Sequence, residues 1–171
     1  GNPEYNIMIA PDGTLTADKF SDDTSSGRHR VTLSNVITAT DGVTYTYSAY
    51  VKIGLLDTVD YIGLVESSGA LWVNAVFDPS NNWSYNLTNS SSASAEDVGN
   101  GWYRLSMTAT RSGTGDARLS VAFFTTPSSG SISSYTGTGY NHFYTWGAQI
   151  EQGSFPTSYI KTTGSQVTRS A

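Results

Sequence analysis

The sequence predicts an all-β protein, an antiparallel two-sheet β-sandwich of the jelly-roll kind. Three observations carry the prediction. Apolar and polar residues alternate along one short stretch after another. Gly, Asn, Asp, Pro and Ser gather between those stretches, where turns need them. No segment sustains a helical period. Roughly eight to ten strands joined by short turns is the pattern of a sandwich or barrel, and the jelly roll is its commonest form.

Residues 1–12 carry little pattern. Thr14 to Ser21 alternates and reads as a first strand, followed by a polar turn at 22–27. A second strand runs from Arg28 to Ile37, with Val31 and Leu33 inward. Asp41-Gly42 is a hairpin signal leading into the best strand of the chain, Val43 to Ile53. Its alternation puts Val43, Tyr45, Tyr47, Ala49, Val51 and Ile53 inside, and Thr44, Thr46, Ser48, Tyr50 and Lys52 outside. Three shorter strands follow, at Tyr61 to Glu66, Leu71 to Asp78 and Trp83 to Thr88. Residues 89–95 read as a serine-rich loop. Trp102 to Thr110 and Ala117 to Thr125 are further alternating strands. Pro127 to Gly139 reads as a Ser/Gly/Thr loop.

The last strand opens at Tyr140. Its more apolar set, His142, Tyr144, Trp146, Ala148 and Ile150, is assigned to the core. Gln152-Gly153-Ser154 then turns, and Phe155-Pro156 leads out extended. The expected organisation is one domain over residues 1–160 and a tail or linker at 161–171.

Composition narrows the function. The chain has 171 residues, enough to bury a core, and no cysteine, which excludes disulfides, thiolate metal sites and a cysteine nucleophile. Charged residues make up 13%, about half of the roughly 25% usual in globular domains, so hydroxyls and amides dress the surface. A net charge of −5 argues against nucleic acid as a partner. No apolar run reaches membrane-spanning length.

Three matched pieces carry a family likeness: Ala10-Pro11-Asp12-Gly13-Thr14-Leu15-Thr16-Ala17-Asp18-Lys19, Glu96-Asp97-Val98-Gly99-Asn100-Gly101-Trp102-Tyr103-Arg104, and Trp146-Gly147-Ala148-Gln149-Ile150-Glu151 with Thr157-Ser158-Tyr159-Ile160. In this order and spacing the chain resembles a lectin-like domain of phage tail and structural proteins. That domain is similar to jelly-roll carbohydrate-binding modules of the galactose-binding-like and concanavalin-like kinds. The likeness runs from about Ala10 to Thr168. It implies an extracellular or virion-surface setting, a polysaccharide or cell-surface glycan as partner, and contacts with other virion or modular-protein domains. It also implies a structural calcium ion near the N-terminus and the closing strand, held by oxygen ligands. Trp146-Gly147 stands where the family places an acidic residue in that strand.

Sugar C–H faces stack on flat rings, and amides and charged groups read the hydroxyls. The candidate ligand-binding residues are therefore the outward Trp72, Tyr50, Asn74, Lys52 and Tyr61, with Trp83 at a rim. Trp102 and Arg104 are also outward and read as a stacked pair bracing the sheet. An enzyme is not expected. His29 lies in Arg28-His29-Arg30, an exposed basic patch, and no Gly-x-Ser-x-Gly elbow occurs. Glu66, Asp78 and Glu151 sit near strand ends, but a glycosidase needs two facing carboxylates, and Asp78-Pro79 reads as turn chemistry. A glycan-binding module without catalysis is the expected function. A structural or oligomerisation module of a phage virion appendage is the rival.

Overall fold

The computed structural model describes residues 1–68, 71–127 and 130–162, apart from the side chains at 34–36. Among them lie thirteen β-strands, paired antiparallel, and no helix. One sheet takes, in order, β1 (Asn2–Ile9), β2 (Leu15–Ser21), β13 (His142–Gln152), β5 (Thr44–Leu55), β10 (Trp102–Thr110) and β9 (Ser92–Gly99). The other takes β4 (Arg30–Ala39), β11 (Gly115–Phe124), β6 (Tyr61–Glu66), β7 (Val73–Asp78) and β8 (Ser84–Thr88). A ribbon pairs β3 (Ser26–Arg28) with β12 (Ser134–Thr136). The two large sheets share one core, in which Tyr47, Val51, Leu105 and Met107 meet Leu64, Phe77, Leu119 and Phe123. This arrangement is consistent with a β-sandwich.

The alternation of β5 and β10 holds because the two strands pair from Trp102 opposite Lys52 to Thr110 opposite Thr44 without a bulge. The closing strand behaves differently. Phe143 and Thr145 are buried, opposite the inward Ile53 and Val51, while Trp146 lies opposite the outward Tyr50. His142, Tyr144 and Trp146 therefore face away from the main core, contrary to the sequence expectation. Beyond them, Gly147 and Ala148 together oppose Ala49, and Gly147 takes a left-handed φ of 61°. That bulge inserts one extra residue and reverses the alternation. Ala148 and Ile150 then do pack against the core, as expected.

Several stretches read as irregular contain strands: the short β3 begins in the expected turn at 22–27 and β12 lies in the expected loop at 127–139, each too short to show an alternation, and two longer strands are hidden as well. β1 hides its period behind an irregular register between Glu4 and Met8, where Asn6 has φ 55°. The first half of β9 has only small residues, with Ala93 and Ala95 against the core and Ser94 hydrogen-bonded to Ser106 at 2.8 Å. The Asp41-Gly42 turn forms, with Gly42 at φ 75°, but no hairpin results, because β4 and β5 belong to different sheets. The tail at 161–171 falls, from residue 163 on, outside the described residues.

Both outer faces are partly covered. On the six-stranded sheet, Ala10, Ala17 and Trp102 form a small second core with Met8, Tyr50, Tyr144 and Trp146. The segment after β13 folds back across the same face. Thr46 Oγ1 donates to Gly153 O at 2.9 Å, Ile160 N donates to Gln149 Oε1 at 3.0 Å, and the Tyr159 ring lies 4.6 Å from Trp146. This strap explains why Thr46 and Ser48 are buried although their strand parity is outward. On the five-stranded sheet, Ile132 is buried against Val65, Val76, Ala122 and Phe124.

Among the described residues one charged pair lies inside. Arg111 Nη1 reaches Glu66 Oε2 at 2.6 Å, and the other guanidinium nitrogens donate to Gly113 O and Asp116 O. Glu66 also accepts from the backbone and hydroxyl of Ser68. A buried ion pair is tolerated only when its remaining hydrogen-bonding capacity is filled in this way.

Candidate functional site

A groove of about 550 Å³ opens at one end of the sandwich, between the two sheets. The end of β5 contributes Lys52, Ile53 and Leu56, and the segment before β6 contributes Val59 and Asp60. The β7–β8 turn contributes Pro79, Ser80 and Trp83, and the start of β10 contributes Gly101 and Tyr103.

Local chemistry fixes both turns. Asp78 Oδ1 accepts from Ser80 N at 2.9 Å, Ser80 Oγ at 2.7 Å and Asn81 N at 3.1 Å, which closes the β7–β8 turn as sequence predicts for an Asp-Pro-Ser run. Asn82 and Trp83 follow at φ 50° and 55°. A left-handed Trp is a backbone outlier costing about 1–3 kcal/mol, and such strain gathers at functional sites. Here it aims the indole inward, where it stacks on Tyr103 with centroids 4.4 Å apart and planes 30° apart. Stacking of this kind returns about 0.5–1.5 kcal/mol beyond area burial. In the β9–β10 turn, Gly99, Asn100 and Gly101 all have positive φ, of 91°, 55° and 79°. Only Gly and Asn visit that region routinely, which accounts for the Gly-Asn-Gly run. Lys52 Nζ donates to Asn100 O at 2.7 Å, so the cation is held against that turn at the groove wall.

The predicted ligand residues fall in three places. Lys52 and Trp83 border the groove, but Trp83 is buried in the main core and not displayed at a rim as the sequence suggests, because its left-handed backbone turns the indole inward. Tyr50 has the expected outward parity but lies under the strap, 5.3 Å from Trp146 and 6.4 Å from Tyr159. Trp72, Asn74 and Tyr61 belong to the outer side of the five-stranded sheet. Asn74 is buried, whereas Trp72 and Tyr61 are half-buried against the Val65–Phe124 cluster. Arg28 stands over the Trp72 ring, its guanidinium carbon 5.2 Å from the centroid. Tyr103, Asp60 and Ser80 are groove residues that pattern reading missed. Tyr103 has core parity, and only its place at the first turn of β10 leaves it at the mouth.

Other expectations change. Trp102 is on the outward face yet buried, and its indole donates to Ile9 O at 3.2 Å. Arg104 stacks on Tyr50, 5.4 Å from the centroid, and Nη2 donates to Ser48 Oγ at 3.2 Å; the expected Trp102–Arg104 stack is replaced by this one. His29 is buried beside the Tyr135 ring, 4.6 Å away, so the exposed basic patch reduces to Arg28 and Arg30. The carboxylates near strand ends have structural partners: Glu66 holds Arg111, Asp78 closes its turn, and Glu151 accepts from Thr157 and Gln149.

The implied calcium site has poor donors. Near the N-terminal segment and the closing strand, Asp22 is the buried carboxylate. Its oxygens accept from Gly139 N at 2.9 Å, Thr138 N at 3.2 Å and Asn141 Nδ2 at 2.8 Å. Oxygens aimed at N–H donors do not fit a calcium ion. Among the described residues no three His, Asp or Glu side chains converge as metal ligands.

Comparison with known protein families and with curated proteins returns no match.

Proposed function

We propose that this chain is a non-catalytic carbohydrate-binding module on a jelly-roll scaffold, and that the end groove holds the glycan. The observation that carries the reading is the strained Trp83 stacked on Tyr103 in a groove that also offers Lys52, Asp60 and Ser80. Tyr103, backed by the buried Trp83, gives a sugar a stacking surface, and the polar groups read its hydroxyls. The jelly-roll reading is supported by nested pairing, of β2 with β13, β4 with β11, β5 with β10 and β6 with β7, as in a long hairpin rolled over itself. The absence of catalysis is supported by the structural partners of Glu66, Asp78 and Glu151. A polysaccharide met outside the cell or at a virion surface is the ligand class this reading names.

The test is affinity electrophoresis through gels cast with a panel of polysaccharides. The wild-type chain is retarded by at least one of them, and Asp60→Trp, which fills the groove from an exposed position, abolishes the retardation. Migration unaffected by every polysaccharide, or equal retardation of the variant, refutes the reading.

One observation favours the rival, an assembly module. Tyr5, Ile7, Ile9 and Leu15 stay exposed on the β1–β2 edge of the six-stranded sheet, where an unpaired strand invites another chain. Sedimentation across concentration separates the two, since an assembly module associates while a glycan module stays monomeric.

A further inference from the structure

The chain carries a net charge of −5, yet Arg28, Arg30 and Arg118 are exposed together on the outer face of the five-stranded sheet. Arg104 and Arg111 are buried, so every exposed arginine among the described residues is on this one face. Arg30 and Arg118 flank a shallow depression of about 350 Å³. Its floor is the cross-strand pair Thr32 and Ser120, with hydroxyls 3.0 Å apart. Arg30 Nη1 donates to Ser67 Oγ at 3.2 Å on one wall. Arg118 Nη2 lies 3.6 Å from Asp116 Oδ2 on the other, a loose pair with both side chains more than half exposed.

Arg30 is opposite Ala122, four residues along β11 from Arg118. Its side chain reaches back to Ser67, which follows the Glu66 paired with Leu119, so both guanidinium groups gather at the Arg118 end of the depression. One acid group can sit between them, and Arg28, over Trp72 on the same face, is left for a second acid group of the same chain. Each guanidinium grips a carboxylate or sulfate through paired N–H donors. Beside the arginines, Thr32, Ser68 and Asp116 line the depression with hydroxyl and carboxylate groups suited to sugar hydroxyls, over the buried Ser120.

We infer that this depression binds an acidic oligosaccharide, one whose uronate or sulfate groups recur along the chain. It is a second site, and it does not rest on the end-groove reading. Nucleic acid is disfavoured as the occupant, because three arginines on an acidic protein are a small footprint for a phosphate backbone.

Calorimetric titration of the full chain tests it, with galacturonic acid, hexagalacturonate, a sulfated dextran hexamer and neutral dextran as probes. One of the two acidic hexamers binds, and the tighter one identifies the acid group. The monomer binds at least about tenfold more weakly, and neutral dextran gains nothing from this face. Affinity falls as salt rises, since exposed charges are screened. Arg30→Gln with Arg118→Gln weakens the acidic hexamer by about tenfold or more, while melting is unchanged because both side chains are exposed. Asp60→Trp leaves this binding intact, so failure of the groove reading and failure of this one give different results. The inference is overturned if neither acidic hexamer binds, or if the double variant binds it unchanged. It is equally overturned if a single-stranded oligonucleotide binds as tightly as the better hexamer.

Discussion

Replacing Gly147 by alanine tests the bulge on which the closing strand depends. Gly147 has φ 61°, and a Cβ there would sit 2.9 Å from Tyr50 Cδ2 and 3.5 Å from Tyr159 Cδ2. Two costs follow. An L-residue in the left-handed region costs about 1–2 kcal/mol. The methyl also presses on a Tyr50 ring confined by Trp146, Tyr159 and Arg104, and overpacking of this kind adds about 1–3 kcal/mol. Gly13 supplies the control, since it has φ 83° and nothing within 4 Å of an added Cβ. Gly13→Ala carries the backbone cost alone. For a chain of this length each kcal/mol lowers Tm by about 2–4 °C. Thermal melts followed by circular dichroism are expected to show Gly13→Ala down by about 2–8 °C and Gly147→Ala down further, by about 4–20 °C. Adding Tyr50→Ala to each variant isolates the contact. Equal shifts for the two glycine variants, or no coupling to Tyr50, would show that the bulge does not bring Gly147 against that ring.

Two further outcomes are expected. Phe143, buried between Phe20 and Phe123, costs about 3–5 kcal/mol on truncation to alanine, and Trp146→Ala costs less because its ring is only half-buried; urea melts decide it, and the reverse order would restore the face that alternation alone assigns. Alkali should unfold the protein early. Burial, with Glu66 beside it, raises the Tyr47 phenol well above its ordinary range, and burial with Asp22 beside it does the same to Tyr135. A raised folded pKa means that these phenols stabilise fully below their unfolded value of about 10 and lose that contribution as pH climbs past it. Stability is therefore flat through neutrality and falls above about pH 10, and Tyr47→Phe flattens the fall.

Where the sequence was legible, the reason is local. In β5 and β10 both faces alternate and the pairing register is unbroken, so parity and burial coincide for Tyr45, Tyr47, Leu105 and Met107. In β13 a glycine after an aromatic was the only cue to a bulge, a weak one since glycine in a strand has several causes. β9 was hidden because Ala93 and Ala95 are too small to register as an apolar face. Parity also gives a direction and not a cover. Tyr50 points outward as read, but residues 153–160 reach back to cover part of it, and nothing near Tyr50 in sequence announces them. The groove was half legible. Trp83 followed an obvious turn and Lys52 an obvious alternation, whereas Tyr103 and Asp60 join them only through tertiary proximity.

β13 lies between β2 and β5 and hydrogen-bonds to both, so each of those strands has one edge without a partner until residues 142–152 exist. Roughly ninety residues separate the end of β5 from the start of β13, which is about 5–18 s of synthesis at 5–20 residues per second. Throughout that interval the nascent chain holds two bare strand edges facing one gap. The long-range pairing that fills it must close a large loop, which places folding toward the slow end for a domain of this size. A peptide copied from residues 142–152 and supplied in trans would compete for the gap during refolding, and would be ignored by the finished protein.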